Sequence, residues 1–214
     1  SHSFPTRRSS DLLDTAKRNA EGIEPLKPLI ARIEAIDSRS EIFKEMTAMD
    51  FYGVGGLFGI GIGADMMDSK MNIVSIGQGG LSLGEKEYYL DEDEATVKIR
   101  EAFKKHVVRM FTLFGYSEAE AQKKMESVMR IETRIAEKSY NNVQLRDPAA
   151  NYHKMTYAEL KKEFKGIDWD MLFTTLGMEG VEEVDMNQLF HLHGITSLPF
   201  WSIIPSRLLS CTFA

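Results

Sequence analysis

The side chains with most chemistry to offer are five histidines, and their neighbours limit what they can do. A water-activating zinc site of the H-E-x-x-H kind needs two histidines one helical turn apart to hold the metal, with a glutamate beside the first to activate the bound water. No histidine here is followed by glutamate: Ser follows His2, Val follows His106, Lys follows His153, Leu follows His191 and Gly follows His193. His191-x-His193 offers two ligands without an acidic partner nearby and is read as coincidence. His106 falls beside Phe103 and Met110 at helical spacing and is read as a residue at a helix boundary. Two other motifs fail on context. Gly59-x-Gly61-x-x-Ala64 fits a dinucleotide fingerprint, which requires a helix directly after it, but Asp-Met-Met-Asp-Ser-Lys follows and reads as a turn. Asp91-x-Asp93 begins like a calcium loop, yet Thr96 and Ala102 stand where glycine and glutamate are needed, so it reads as an acidic helix start. The sequence therefore assigns no catalytic, cofactor-binding or metal-ligating residue.

The most informative polar residue is Glu132. It lies at helical spacing from Val128 and Ile135, on a face expected to be buried, where an unpaired carboxylate costs several kcal/mol. A donor partner is required, and Arg146 is the expected one, with Asp147 and Tyr152 bracing the loop between Tyr140 and Met155. That role is structural. Gly79 and Gly80 free the backbone for a tight turn between Leu81 and Leu83 on one side and Tyr88 and Tyr89 on the other.

Elements that position these residues are mostly helical. Leu13 to Ala20 and Pro25 to Ile36 predict two helices broken at Gly22, the second with Leu26, Leu29, Ile30, Ile33 and Ile36 on one stripe. Ser38 with Glu41, Ser117 with Glu120 and Thr156 with Glu159 are capping boxes, each satisfying N–H groups left open at a helix start. Leu57 to Ala64 and Met71 to Gln78 predict a β-hairpin around Asp65 to Lys70, with the alternating glycines expected on a closely packed face. Asp93 to Phe114 and Ser117 to about Ser139 predict an antiparallel helical hairpin. Its first helix is expected to bury Val97, Ile99, Phe103, Val107, Met110 and Phe114, and Gly115 to end it in a left-handed conformation. Asp168 is expected to cap a further turn that inserts Trp169.

With 214 residues, 43% apolar and 27% charged, the chain can build an ordinary core. A net charge of −6 supplies no basic field for nucleic acid or anionic lipid. The single Cys211 excludes an internal disulfide, no apolar run reaches the roughly 18–20 residues of a membrane span, and no signal peptide is legible.

Ordered motifs along the body resemble those of one family. Gln78-Gly79-Gly80-Leu81-Ser82-Leu83-Gly84 followed by Tyr88-Tyr89-Leu90 resembles a signature in the non-catalytic N-terminal domain of neprilysin-like zinc metallopeptidases, peptidase family M13, closest to the bacterial oligopeptidase O branch. Gly115-Tyr116, Ile131-Glu132-Thr133-Arg134-Ile135-Ala136, Arg146-Asp147, Tyr152-His153-Lys154-Met155-Thr156 and Ile167-Asp168-Trp169 continue the likeness, which is expected to cover about residues 13–189. It implies a mainly α fold, a helical cap-domain fragment with one β-hairpin. The implied parent is an endopeptidase that hydrolyses short peptides with zinc, exported to the bacterial periplasm or cell envelope. Its zinc ligands and general base have no counterpart here, so the partner is a C-terminal catalytic domain and this chain alone is expected to bind no zinc and cleave nothing. The alternatives are a freestanding helical interaction module, or an enzyme with an unfamiliar site near Glu132, Arg146 and Tyr152.

Both ends look foreign to that family. Ser1 to Leu12 is expected to be a non-native leader. Phe190 to Ala214, where Arg207 is the sole formal charge, is expected to be a non-native or disordered tail.

Overall fold

Gly22, at φ +54°, ends the first helix of a computed structural model that describes residues 15–196. That helix, α1 (Thr15–Glu21), is followed by a short 3-10 turn, Glu24–Leu26, and by α2 (Lys27–Glu34), so the expected single helix after Pro25 is split. Ser38 then starts α3 (Arg39–Asp50) by accepting from Glu41 N–H at 3.3 Å; the Glu41 carboxylate reaches back one residue further than a capping box requires, to Asp37 N–H. The hairpin forms as β1 (Phe58–Ala64) and β2 (Asn72–Gln78), and the glycine turn leads into α4 (Glu87–Leu90). The long pair is α5 (Glu94–Leu113), capped by Asp93, and α6 (Glu118–Lys138), started by the Ser117–Glu120 capping box; Gly115 between them sits at φ +97°. The short helices α7 (Asn142–Leu145) and α8 (Pro148–Asn151) lead to β3 (Lys154–Thr156). Then come α9 (Tyr157–Glu163), α10 (Trp169–Thr175), β4 (Glu183–Met186) and α11 (Leu189–Thr196).

The fold is mainly α, and the hairpin is half of a four-stranded mixed sheet in the order β1-β2-β4-β3. β1 and β2 are antiparallel with Ile60 opposite Ile76; β2 and β4 are parallel with Val74 opposite Val184; β3 and β4 are antiparallel with Met155 opposite Val184. Strands of three and four residues are too short to show an alternating pattern, which is why β3 and β4 escape a sequence reading.

Two apolar clusters result. One gathers Phe43, Met46, Leu57, Phe58, Ile76, Trp169, Leu172, Val184 and Met186 between the sheet and helices α3 and α10. The other lies inside the helical hairpin, with Tyr89, Val107, Phe111, Met125 and Val128. Helix α6 serves both: Ile131 and Ile135 belong to the first cluster, Ala121, Met125, Val128 and Ala136 to the second. On α5 the buried stripe is rotated from the expected one. Phe111 is buried against Tyr116 with ring centroids 5.7 Å apart, while Ile99 is exposed.

Two further expectations are corrected. Residues 190–196 are not an irregular tail: Leu189–Thr196 is helical, buries His191, and places Leu192 and Ile195 in the first cluster. The segment lacks an amphipathic period because a helix that is apolar nearly all round is a buried helix. Residues 1–14, with the expected leader and the Leu13 start of the first helix, and residues 197–214 lie outside the described residues. The glycines of β1 are not packed closely either; a Cβ built at Gly59, Gly61 or Gly63 meets nothing within 4 Å.

Candidate functional site

The polar residues that the fold brings together converge on the glycine turn between β2 and α4. Glu132 on α6 is fully buried at the seam between the two apolar clusters. Its carboxylate accepts from Ser82 Oγ at 2.7 Å, from Ser82 N–H at 3.3 Å and from the Tyr89 hydroxyl. Tyr89 Oη in turn accepts from Leu83 N–H at 2.9 Å. Burial pushes the Glu132 carboxyl above the usual carboxylate range, against the lowering effect of its Ser82 and Tyr89 hydrogen bonds. Burial and the neighbouring Glu132 charge push the Tyr89 hydroxyl far up. Both groups therefore hold protons more tightly than in water, and the pair ties α6 to the turn.

Glu132 thus has its donors, but Arg146 is not among them. The Arg146 side chain is exposed and makes no polar contact among the described residues. A nearer set of donors, carried by the turn itself, takes its place. Arg146→Ala is expected to change unfolding free energy by no more than about 0.5 kcal/mol in a urea titration. Asp147 instead caps α8 by accepting from Ala150 N–H at 3.0 Å. Tyr152 donates to Asp65 Oδ1 at 2.9 Å, away from Glu132. Asp65 sits in a separate network with Lys154, which also pairs with Glu183 at 2.6 Å. The Met67 N–H, then the Tyr152 hydroxyl and Lys154, hold the Asp65 carboxyl below its usual range. Among the described residues Glu132, Arg146 and Tyr152 make no polar contact with one another. Tyr88 offers its carbonyl to the buried Arg100, whose guanidinium also reaches Tyr89 O at 2.7 Å and Glu92 at 3.0 Å. Trp169 is buried, with its indole N–H on Phe164 O at 3.1 Å.

Several members of the convergence escaped the sequence reading. His191, only 1% exposed, reaches three elements: Nε2 lies 3.0 Å from Leu57 O and 3.4 Å from Gly79 N, and Nδ1 lies 3.2 Å from Ser139 Oγ. The shorter Leu57 contact selects the Nε2–H tautomer, and the Ser139 hydroxyl donates to Ile135 O at 2.9 Å. Burial lowers the His191 pKa to about 4. Gln78 clamps the end of α6 with both amide atoms, Oε1 accepting from Tyr140 N–H at 2.7 Å and Nε2 donating to Tyr140 O at 3.2 Å. Gln188 Oε1 accepts from Gln78 N–H at 2.8 Å. A buried amide or imidazole that bonds backbone has no fixed partner residue type, so no sequence motif announces it.

The glycines are required by space as well as by conformation. A Cβ at Gly79 falls 3.0 Å from Gly56 O and 3.2 Å from Phe58 Cα; Gly80 is at φ +81° with Leu57 Cα 3.3 Å from its Cβ position. Because the obstructing atoms are backbone, Gly79→Ala is expected to lower stability by about 1–3 kcal/mol, read as the urea midpoint at constant slope.

His191 is committed to Leu57 and Ser139, and His193 pairs with Glu163 at 2.9 Å. Among the described residues no group of three or more His, Cys, Asp and Glu side chains could hold a metal ion, and no helix is long and apolar enough to cross a membrane.

The fold and its polar staples define a helix-rich domain built around a small mixed sheet. A model of peptidase family M13, for its N-terminal region, matches residues 10–198. The chain belongs to that family of neprilysin-like zinc metallopeptidases and corresponds to part of its N-terminal domain. The match runs beyond Leu189, where the likeness was expected to stop. Endothelin-converting enzyme 1 of Homo sapiens is 27% identical over 183 residues, 79% of this chain and 23% of that protein. An endothelin-converting enzyme homolog of Locusta migratoria is 33% identical over 124 residues, 50% of this chain and 17% of that protein. The zinc metalloprotease Zmp1 of Mycobacterium tuberculosis, solved in complex with an inhibitor, superposes with a TM-score of 0.85 at 27% identity, covering 94% of this chain and 30% of that one. PepO of Lactobacillus rhamnosis shares the fold, with a TM-score of 0.69 at 18% identity over 92% of this chain and 32% of that one. The chain thus spans about a quarter or less of the curated relatives it matches.

Proposed function

We propose that this chain is a structural part of a zinc-dependent endopeptidase that hydrolyses short peptides, and that it contributes to the cap that limits access to the catalytic cavity. The observation that carries the reading is the superposition of nearly the whole chain on about a third of a zinc metalloprotease, while Glu132, Tyr89 and His191 at the glycine turn are bonded to one another's partners or to the backbone. In this reading the zinc ligands and the general base come from polypeptide outside the 214 residues, in a C-terminal catalytic domain that packs on this one. The protein acts in the periplasm or cell envelope of a bacterium. The residues described here shape and support: Glu132, Tyr89 and His191 fix the glycine turn against α6, and the sheet is fixed with it.

The test is a peptidase assay. Purified chain with added zinc and a short internally quenched peptide is expected to give no chelator-sensitive cleavage. A longer product of the same gene containing an H-E-x-x-H segment is expected to cleave it and to lose that activity on chelation. Chelator-sensitive turnover by the 214-residue chain would overturn the assignment.

A further inference from the structure

The open glycine face of β1 is where the fold leaves the most unexplained. β1 is an edge strand: it pairs with β2, and its other edge pairs with no strand among the described residues. Edge strands that must stay unpaired carry lysine, proline or a bulge, because free N–H and C=O groups template another strand. β1 carries none of these. No formal charge occurs from Phe51 to Ala64, in a chain where 27% of residues are charged. Ile62 within it is 61% exposed, and Met67 at the hairpin tip 74%.

The glycines add a second, independent observation. Gly59, Gly61 and Gly63 alternate on one face, and nothing lies within 4 Å of the Cβ each lacks. Glycine weakens a strand and is retained where another backbone or a large side chain must come close. Aromatic residues on a neighbouring strand fill such gaps. At the Phe58 end, β1 runs into a cleft of about 360 Å³ lined by Gly55, Gly56, Gly59, Gly79 and Gly80, with Asp50 at its rim. The Asp50 carboxylate makes no hydrogen bond or ion pair among the described residues.

We propose that β1 binds an extended peptide as a fifth strand, with bulky aromatic side chains over Gly59, Gly61 and Gly63 and a basic residue entering the cleft toward Asp50. Backbone pairing supplies affinity and the alternate side chains supply selectivity, as in other strand-addition sites. Electrostatics favour a cationic peptide over a second copy of this chain, since each copy carries −6. The inference extends the peptidase reading to a second peptide-contacting surface. Its test is a binding measurement that needs no catalysis, so its failure leaves that reading standing.

The probe is a fluorescein-labelled synthetic octapeptide, phenylalanine alternating with threonine and ending in lysine amide, titrated with the intact chain by anisotropy. Saturable binding is expected, lost when alternate peptide nitrogens are methylated, and weakened at least tenfold when the phenylalanines become alanine. Replacing the lysine by norleucine, or Asp50→Asn in the protein, is expected to weaken binding about fivefold, and the two changes together no more than either alone. Ile62→Lys, at an exposed position, is expected to reduce binding with the unfolding curve unchanged. Binding indifferent to N-methylation, or no binding at millimolar peptide, would overturn the proposal. So would a concentration-dependent dimer in light scattering that Ile62→Lys dissolves while the peptide stays unbound.

Discussion

Glu132→Ala should lower the unfolding free energy of this domain by about 2–3 kcal/mol. Three donors aim at that buried carboxylate, two from Ser82 in the exposed turn and one from the buried Tyr89 hydroxyl. Removing the acceptor leaves the buried Tyr89 phenol without its partner and opens a void beside Ile131 and Ile135. Urea denaturation followed by far-UV circular dichroism measures the loss; a change below about 1 kcal/mol would mean that the turn relaxes away from α6 at little cost. The same residue has a pH signature. Its folded-state pKa is raised by burial, so the folded protein binds the proton more tightly than the unfolded chain does. Its contribution to stability is fully present below the unfolded-state value and declines as pH rises through the folded value. Glu132→Gln should remove that component of the slope.

His191 acts in the opposite sense. Its pKa falls from 6.5 to about 4 because burial disfavours the imidazolium. The unfolded chain therefore binds a proton that the folded one refuses between those values. Stability should fall by about 3 kcal/mol as pH drops from 7 to 4, and by little more below that. The measurement is urea unfolding at a series of pH values for the wild type and for His191→Gln. The variant should lack this acid-dependent component whatever its stability at pH 7, and equal slopes for the two proteins would refute the assignment. Titrating Glu132 or Asp185, whose carboxyl is also raised by burial, cannot mimic the effect, because both shift stability the other way.

What the sequence disclosed and what it hid divide along the range of the interactions. The helix starts at Ser117 and Thr156 were legible because a capping box is complete within four residues. The left-handed Gly115 and the buried Trp169 were legible for the same local reason. That Glu132 needs donors followed from its helical neighbours, but which donors did not. Ser82 and Tyr89 reach the carboxylate from 50 and 43 residues away in the chain, while Arg146, near in sequence, faces solvent. β3 and β4 were hidden because their strand character comes from pairing with β2 and with each other. His191 was dismissed with its apolar surroundings, and those surroundings are what bury it.

The parallel pairing of β2 with β4 sets a schedule for making this domain. Gln188 meets Gln78 across 110 residues of chain, and the helical hairpin lies between them. A ribosome adding about 5–20 residues each second therefore holds the emerging β-hairpin for roughly 5–20 s before its sheet can be completed. Through that interval the inner edge of β2 is open as well as the outer edge of β1, the first rich in isoleucine and valine and the second in glycine and isoleucine. The nascent chain is most exposed to misassociation then, and a chaperone that shields strand edges has its greatest opportunity before residue 186 leaves the exit tunnel.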